Sequence, residues 1–246
     1  MSGSSGSRFE LEEFDRLDRK VFVAGSLQEA GADGPEVGVF DPSTGAQIAT
    51  ITEPDDALVD AALTSVTQGA EAWARLQPRD RAEVLYGCGR VIRQHAQELA
   101  SLEMADTGAS LAAGIISMQA VARRFEYYAG VADKLQGRTV PIRDGVFAYS
   151  MLRPLGVTLH IVPWNGPLWI ASRTVAPALA AGNGVVIKPS SLAPLSSLAL
   201  AVLLTEAGLP PGVIAVLPGS GGDLGQRLVA HPRVDGIWFT GSTATG

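Results

Sequence analysis

Val157-Thr158-Leu159-His160-Ile161-Val162 and, further on, Val185-Val186-Ile187-Lys188 are the two runs that decide the fold. Both are short, apolar and nearly free of charge, and the segment between them, 168–181, is alanine-rich with helical spacing. Strands of this composition are buried on both faces, which is the habit of a parallel sheet sandwiched between helices. Working outward, a helix over 194–207, a strand over 213–217, a helix over 222–230 and a strand over 236–239 continue the alternation. The expectation is an α/β protein with a parallel sheet and helices on both faces.

Upstream of this block, residues 1–7 are mostly glycine and serine and offer no core-forming run. They read as a flexible leader or tag and are left out of the fold. Residues 8–36 are charged and glycine-rich around one short strand, 20–23. Val39-Phe40-Asp41-Pro42-Ser43-Thr44-Gly45 is a strand running into a turn, with 48–51 as its hairpin partner. Ala57, Leu58, Ala61, Ala62, Val66, Ala70 and Trp73 recur at three- and four-residue steps, predicting an amphipathic helix over 55–76 with proline at its first turn. Two more helices are predicted, over 78–106 and 111–135. A strand pair, 139–142 and 146–153, then folds back through Arg143-Asp144-Gly145, the Asp-Gly signal of a hairpin. The expected organisation is a β element with helices over 8–135, a hairpin arm over 136–154 and the sheet over 155–246.

Composition narrows the function. With 46% hydrophobic and 18% charged residues the chain is too apolar for native disorder. Nineteen basic against twenty-five acidic residues, a net charge of −6, supply no broad basic surface, so neither nucleic acid nor an anionic membrane is an expected partner. One cysteine forbids an intrachain disulfide, and no apolar stretch is long enough to span a bilayer; a soluble cytoplasmic protein is the expectation. That cysteine, Cys88, lies at helical spacing from Leu85 and Ile92 and reads as a buried structural thiol. His95, His160 and His231 are scattered without metal-ligand spacing, so no metal is expected.

In an open parallel sheet, ligands bind beyond the carboxyl ends of the strands. Those ends carry Pro163-Trp164-Asn165-Gly166-Pro167, then Lys188-Pro189-Ser190-Ser191, then Pro218-Gly219-Ser220-Gly221-Gly222, and finally Thr240-Gly241-Ser242-Thr243-Ala244-Thr245-Gly246. A glycine turn opening a helix lets backbone N–H groups and the positive end of the helix dipole face a phosphate. Singly, each signal has a plainer alternative. Gly219-Ser220-Gly221, with Gly225 beyond, is one residue longer than the common dinucleotide fingerprint and suits a tight turn equally well. Lys188 could snorkel at the surface, Asn165 could be a turn residue, and Trp164 could be a core aromatic.

Taken in order, the motifs Pro163-Trp164-Asn165, Ala176-Pro177-Ala178-Leu179-Ala180-Ala181-Gly182-Asn183, Val186-Ile187-Lys188-Pro189-Ser190, Glu206-Ala207-Gly208-Leu209-Pro210-Pro211-Gly212-Val213 and Phe239-Thr240-Gly241-Ser242-Thr243 closely resemble the aldehyde dehydrogenase superfamily. The likeness is dense over 155–246 and looser upstream, through Asp41-Pro42-Ser43-Thr44-Gly45 and 125–141. It implies a Rossmann-like cofactor domain and oxidation of a small-molecule aldehyde to a carboxylic acid with NAD or NADP, in a homo-oligomer. By the resemblance, Asn165 is catalytic, donating its amide to the oxyanion formed at the aldehyde. Such a preorganised donor is worth ~3 kcal/mol of barrier. Pro163 and Trp164 flank it at the cofactor site, Lys188 takes the adenosine ribose, and Gly221 and Gly225 line the adenine side. Thr240, Gly241, Ser242 and Gly246 belong to the loop beside the pyrophosphate.

Two departures from the family pattern stand out. Ser191 occupies a position where many relatives carry a glutamate that would accept from both ribose hydroxyls and repel a 2′-phosphate; serine removes that repulsion, so NADP is expected to be tolerated or preferred. Gly166 replaces a common aromatic and opens space beside Asn165. The family's nucleophilic cysteine and water-activating glutamate both follow the Gly-Ser-Thr motif, inside which this sequence stops. The expectation is therefore the amino-terminal portion of such an enzyme, inactive by itself. The alternatives are an inactive nucleotide-binding or subunit-docking module, or a non-functional remnant whose Trp238 and Phe239 face a missing partner.

Overall fold

The computed structural model describes residues 14–31 and 34–246; the leader expected over 1–7 lies outside the described residues. After one turn of helix, α1 (Phe14–Leu17), the strands β1 (Lys20–Val23) and β2 (Ser26–Glu29) form a hairpin, and β3 (Glu36–Phe40) pairs antiparallel with β4 (Gln47–Thr52). The helices α2 (Asp56–Arg75), α3 (Pro78–Gln94), α4 (Ala96–Thr107) and α5 (Leu111–Ala129) follow, and then the short pair β5 (Thr139–Val140) and β6 (Ala148–Tyr149). The predicted alternation completes the chain: β7 (Val157–Ile161), α6 (Pro167–Ala180), β8 (Gly184–Lys188), α7 (Leu195–Glu206), β9 (Ile214–Val216), α8 (Leu224–Val229) and β10 (Gly236–Phe239).

The main sheet runs β10-β7-β8-β9-β1-β2 and is parallel from β10 to β9. Successive side chains of a strand point to opposite faces. Thus Val186 joins Val59, Leu63 and Val66 of α2 and Leu228 of α8 on one face, while Val185 and Ile187 join Val175 and Leu179 of α6 and Leu200 of α7 on the other. Helices α3, α4 and α5 pack over α6 and α7 as a further layer. Every residue of β8 is buried, which is why the strand reads as an apolar run up to Lys188. Gly182 ends the connection after α6 at φ +93°, and Asn183 then pins the start of β7: its Oδ1 accepts from Leu155 and Gly156 N–H and its Nδ2 donates to Ala178 O.

Several local expectations are corrected. The strand expected over 20–23 is β1, and beyond that expectation it hydrogen-bonds antiparallel to β9 and extends the main sheet; Val21, Phe22 and Val23 are buried there. The helix expected over 78–106 breaks at His95, which lets α4 turn Leu99, Leu102, Glu103 and Asp106 inward. The helix from Leu111 stops at Ala129, with Gly130 following and one 3-10 turn (Ala132–Lys134) beyond. Pro54 lies before the first turn of α2, whose cap is Asp55, accepting from Leu58 N–H at 2.7 Å. The hairpin turns at Gly145 as foreseen, but its ladder is only two residues per strand, because 139–149 is nearly all exposed and packing does not extend it.

Candidate active site

Three hydrogen bonds lace the strand ends together. Thr240 N–H donates to Ile161 O (3.1 Å), Val162 N–H to Lys188 O (3.1 Å) and Leu217 N–H to Ile187 O (2.9 Å). The predicted residues Pro163, Trp164, Asn165, Lys188, Ser191, Gly221, Gly225, Thr240, Gly241, Ser242 and Gly246 therefore follow strands that end on one edge of the sheet. They do not form one tight cluster. At ~4.8 Å per strand, the ends of β10 and β9 stand about 14 Å apart with those of β7 and β8 between them, a span suited to an elongated ligand.

At the end of β7 the chain bends through Trp164, Asn165 and Gly166 before α6 begins at Pro167. Gly166 has φ +152°, a conformation that a side chain would strain. Asn165 is exposed and its amide has no partner among the described residues. Trp164 is 53% exposed, so the core-aromatic alternative fails: the loop carries the indole past the edge of the packed layers.

Lys188 closes β8 and is buried, which overturns its alternative as a snorkelling surface lysine. Its Nζ donates only to Pro189 O, at 3.0 Å, leaving further donor capacity beside the loop. Burial pulls its pKa down to about 8, against the pull of the Glu53 charge. Beyond it Ser191 is half-buried.

After β9 the backbone lies bare. A side-chain carbon added at Gly221 or Gly222 would meet no atom within 4 Å, and at Gly225 the nearest is Ser220 O at 3.9 Å. Gly219 differs, since a carbon there would sit 2.5 Å from Leu224 Cδ2 and 3.1 Å from Glu53 Cγ. After β10, Ser242 opens a turn: its Oγ accepts from Thr245 N–H (3.2 Å) and its carbonyl accepts from Gly246 N–H (3.2 Å). A bare ledge, a buried lysine with unused donors and a free amide fit a ribose-bearing, phosphate-bearing ligand along the strand ends.

The groups that hold this edge in place are absent from the sequence motifs. Glu103 Oε1 accepts from Leu168 N–H (3.1 Å) at the start of α6, and Asp106 Oδ2 accepts from Leu195 and Ser196 N–H (2.9 and 3.3 Å) at the start of α7. Two buried carboxylates on α4 thus cap the helices that follow β7 and β8. Burial pushes the Asp106 carboxyl up to about 8, against the two N–H donors, and raises Glu103 as well. His160 bridges Thr158 Oγ1 (2.9 Å) and Thr174 Oγ1 (2.8 Å), and burial pulls its pKa down to about 3, so it is a neutral strut between β7 and α6.

Glu53, at the end of β4, supports the third loop. Its Oε2 accepts from Ser220 N–H (2.7 Å) and its Oε1 pairs with Arg227 (2.9 Å), which also reaches Asp56 (2.7 Å). Cys88 is buried on α3 and its thiol is pushed up to about 12 by burial, so it is no thiolate at neutral pH, as expected. Among the described residues no group of three or more metal-ligating side chains occurs, and no helix is long and apolar enough to cross a membrane.

In an open α/β sheet, ligands bind beyond the carboxyl ends of the strands, where these donors are ranged. The chain belongs to the aldehyde dehydrogenase family: the sequence model described as "Aldehyde dehydrogenase family" matches residues 30–246. It is 42% identical over 217 residues to a hydroxyisobutyraldehyde dehydrogenase of Mycolicibacterium austroafricanum, covering 88% of this chain and 42% of that relative. The structure is similar to the NAD+ complex of an aldehyde dehydrogenase from Bacillus cereus (TM-score 0.91, 34% identity, 98% of this chain and 50% of that one). It is also similar to PnpE from Pseudomonas sp. WBC-3 (TM-score 0.89, 38% identity, 93% and 47%). The chain thus spans about half the length of these relatives or less.

Proposed function

We propose that this chain is the cofactor-binding, oxyanion-donating part of an NAD(P)-dependent aldehyde dehydrogenase that oxidises an aldehyde to a carboxylic acid. The observation that carries the reading is the strand-end edge itself, with its glycine ledge, buried Lys188 and unpartnered Asn165 amide, in a chain of this family. A bound nicotinamide dinucleotide supplies the hydride acceptor. Lys188 donates to a ribose hydroxyl from a desolvated position, where each hydrogen bond is stronger than in water. Gly221 and Gly225 admit the adenine side. Thr240, Gly241, Ser242 and Gly246 approach the pyrophosphate, while Pro163 and Trp164 shape the bend that presents Asn165. The Asn165 amide donates to the aldehyde oxygen as negative charge develops there. The nucleophile and the water-activating base are assigned to no residue of this chain, so the chain by itself is expected to bind dinucleotide without turnover.

NADP is proposed to be accepted at least as well as NAD. Ser191 offers no charge against a 2′-phosphate, and both carboxylate oxygens of Glu53, the acid whose charge reaches Lys188, are engaged by Ser220 and Arg227. Fluorescence titration of the chain with NADH and NADPH tests both points. Saturable binding is expected, weakened about tenfold or more by Lys188→Met, with NADPH no weaker than NADH. Absence of binding, or indifference to Lys188→Met, would overturn the site. A tenfold or larger preference for NADH would overturn the cofactor reading alone.

A second reading, subunit docking through the hairpin, is favoured by the apolar side chains that 142–155 leave exposed, Ile142, Phe147, Tyr149, Met151, Leu152 and Leu155. It is compatible with the first.

A further inference from the structure

Three arginines converge on a pocket of about 490 Å³ between α5 and α6. Arg123 and Arg124 come from α5 and Arg173 from α6, and Ala120, Tyr127 and Tyr128 complete the lining. No carboxylate lines it, although the chain as a whole carries a net charge of −6. The one acid of α5, Glu126, pairs with Arg93 at 2.6 Å, and α6 carries none.

One member of the cluster, Arg124, is held in place. The Arg124 guanidinium stacks 3.6 Å from the centroid of the Trp169 ring, and its Nη1 donates to Trp169 O (2.7 Å) and Ser172 Oγ (2.9 Å). That fixes one guanidinium face and leaves its remaining donors unused. Arg123 and Arg173 are exposed and have no hydrogen-bond or ion-pair partner among the described residues. Burial, and then the nearby charge of Arg173, lower the pKa of Arg124. Cations held together without a counter-ion repel, and a bound anion relieves the repulsion.

The position matters as much as the charge. Arg124 grips the first turn of α6, which starts two residues after Asn165, and Arg173 lies about 9 Å along the helix from Pro167 at ~1.5 Å per residue. We propose that this pocket binds a carboxylate, the far end of an aldehyde substrate whose carbonyl oxygen lies at Asn165. Arginine forks match a carboxylate's two oxygens, and the two tyrosines add hydroxyl donors. Placing the carbonyl at Asn165 rests on the proposed function; the carboxylate site rests on the arginines alone.

Calorimetric titration of the 246-residue chain with glutarate, uncharged glutaramide, succinic semialdehyde and butanal tests it. Glutarate and succinic semialdehyde are expected to bind saturably and the two uncharged compounds about tenfold more weakly or not at all. Arg173→Gln, an exposed position that folding tolerates, is expected to weaken both acids about tenfold, as is Arg123→Gln on the other helix. Asn165→Ala is expected to weaken the semialdehyde and leave glutarate unchanged. Equal binding of glutarate and glutaramide, or indifference to both arginine variants, overturns the proposal. So does a semialdehyde that ignores Asn165→Ala, because the carboxylate site would then serve a free acid and not the substrate. NADPH titrated into the same samples separates the two levels: dinucleotide binding without acid binding sinks this inference only, and failure of dinucleotide binding sinks the proposed function.

Discussion

Arg227 and Arg124 are both guanidinium groups partly withdrawn from water, and their surroundings treat them in opposite ways. Arg227 is met by Glu53, Asp56 and the carbonyl of Pro54. Burial alone would lower its pKa, and its hydrogen bonds with Asp56 and Glu53 more than reverse that. Arg124 is met by an aromatic face, a carbonyl and a hydroxyl, with a second cation beside it, and its pKa is lowered. The first arrangement ties a loop to the body through Arg227 on α8, Glu53 after β4 and the Ser220 amide. The second is open and holds unspent donors toward a pocket. Opposite charges in contact fasten structure, whereas like charges left without a partner favour a counter-ion.

Breaking the balanced cluster should have the largest effect. Glu53→Ala leaves Ser220 N–H and Arg227 without their buried partner, which costs about 3–5 kcal/mol in comparable cases. Denaturant unfolding checks this, and a loss below ~1 kcal/mol would show that Asp56 and Asp223 can take over Arg227 without Glu53. The same variant should weaken dinucleotide binding, because the Gly219–Gly222 ledge loses its anchor.

Acid and base should separate the carboxylates. Burial would raise the Glu53 carboxyl, but the hydrogen bonds it accepts from Ser220 N–H and from Arg227 hold it below the ordinary range. A depressed folded value means that its stabilisation is present above the unfolded value, ~4.3, and is lost as pH falls through the folded value. Asp106 has the opposite sign. With a folded value of about 8, its contribution is full below ~3.9 and lost as pH rises through about 8. Melting temperatures measured from about pH 2.5 to about pH 9 should therefore show Glu53→Gln flattening the acid limb and Asp106→Asn flattening the decline through about pH 8. If the two variants flatten the same limb, one of these environments is misassigned.

These supporting groups mark the boundary of what the sequence reveals. The alternation of β7 to β10 is legible because strands buried on both faces must be apolar throughout, and the strand-end motifs are legible because glycine, asparagine and lysine there have few other uses in that order. Glu53 is not, because its partners Ser220 and Arg227 lie 167 and 174 residues away and no local pattern announces them. Glu103 and Asp106 carried a weak signal: they fall in phase with Leu99 and Leu102 on the buried face of α4, where an acid needs a partner. The break at His95 was hidden because residues on either side remain good helix formers and tertiary packing sets the new direction. The join of β1 to β9 was hidden because a four-residue strand says nothing of which edge it will cover.

The smallest effect on stability, and the most diagnostic, belongs to the unbalanced cluster. Arg173→Gln should leave stability within ~0.5 kcal/mol of the parent or raise it, because the side chain has no partner to lose and its charge repels Arg124. Salt should expose the same sign. Raising ionic strength shortens the screening length from ~10 Å at 0.1 M to ~3 Å at 1 M, which relieves repulsion among the arginines and weakens the exposed edge of the Arg227 network. Parent minus Arg173→Gln stability should thus rise with salt, while parent minus Glu53→Ala should stay level or fall. An arginine that merely supported the fold would make the first difference fall as well. An arginine held beside another cation without a counter-ion costs stability at low salt, and the same screening would weaken glutarate binding as salt increases.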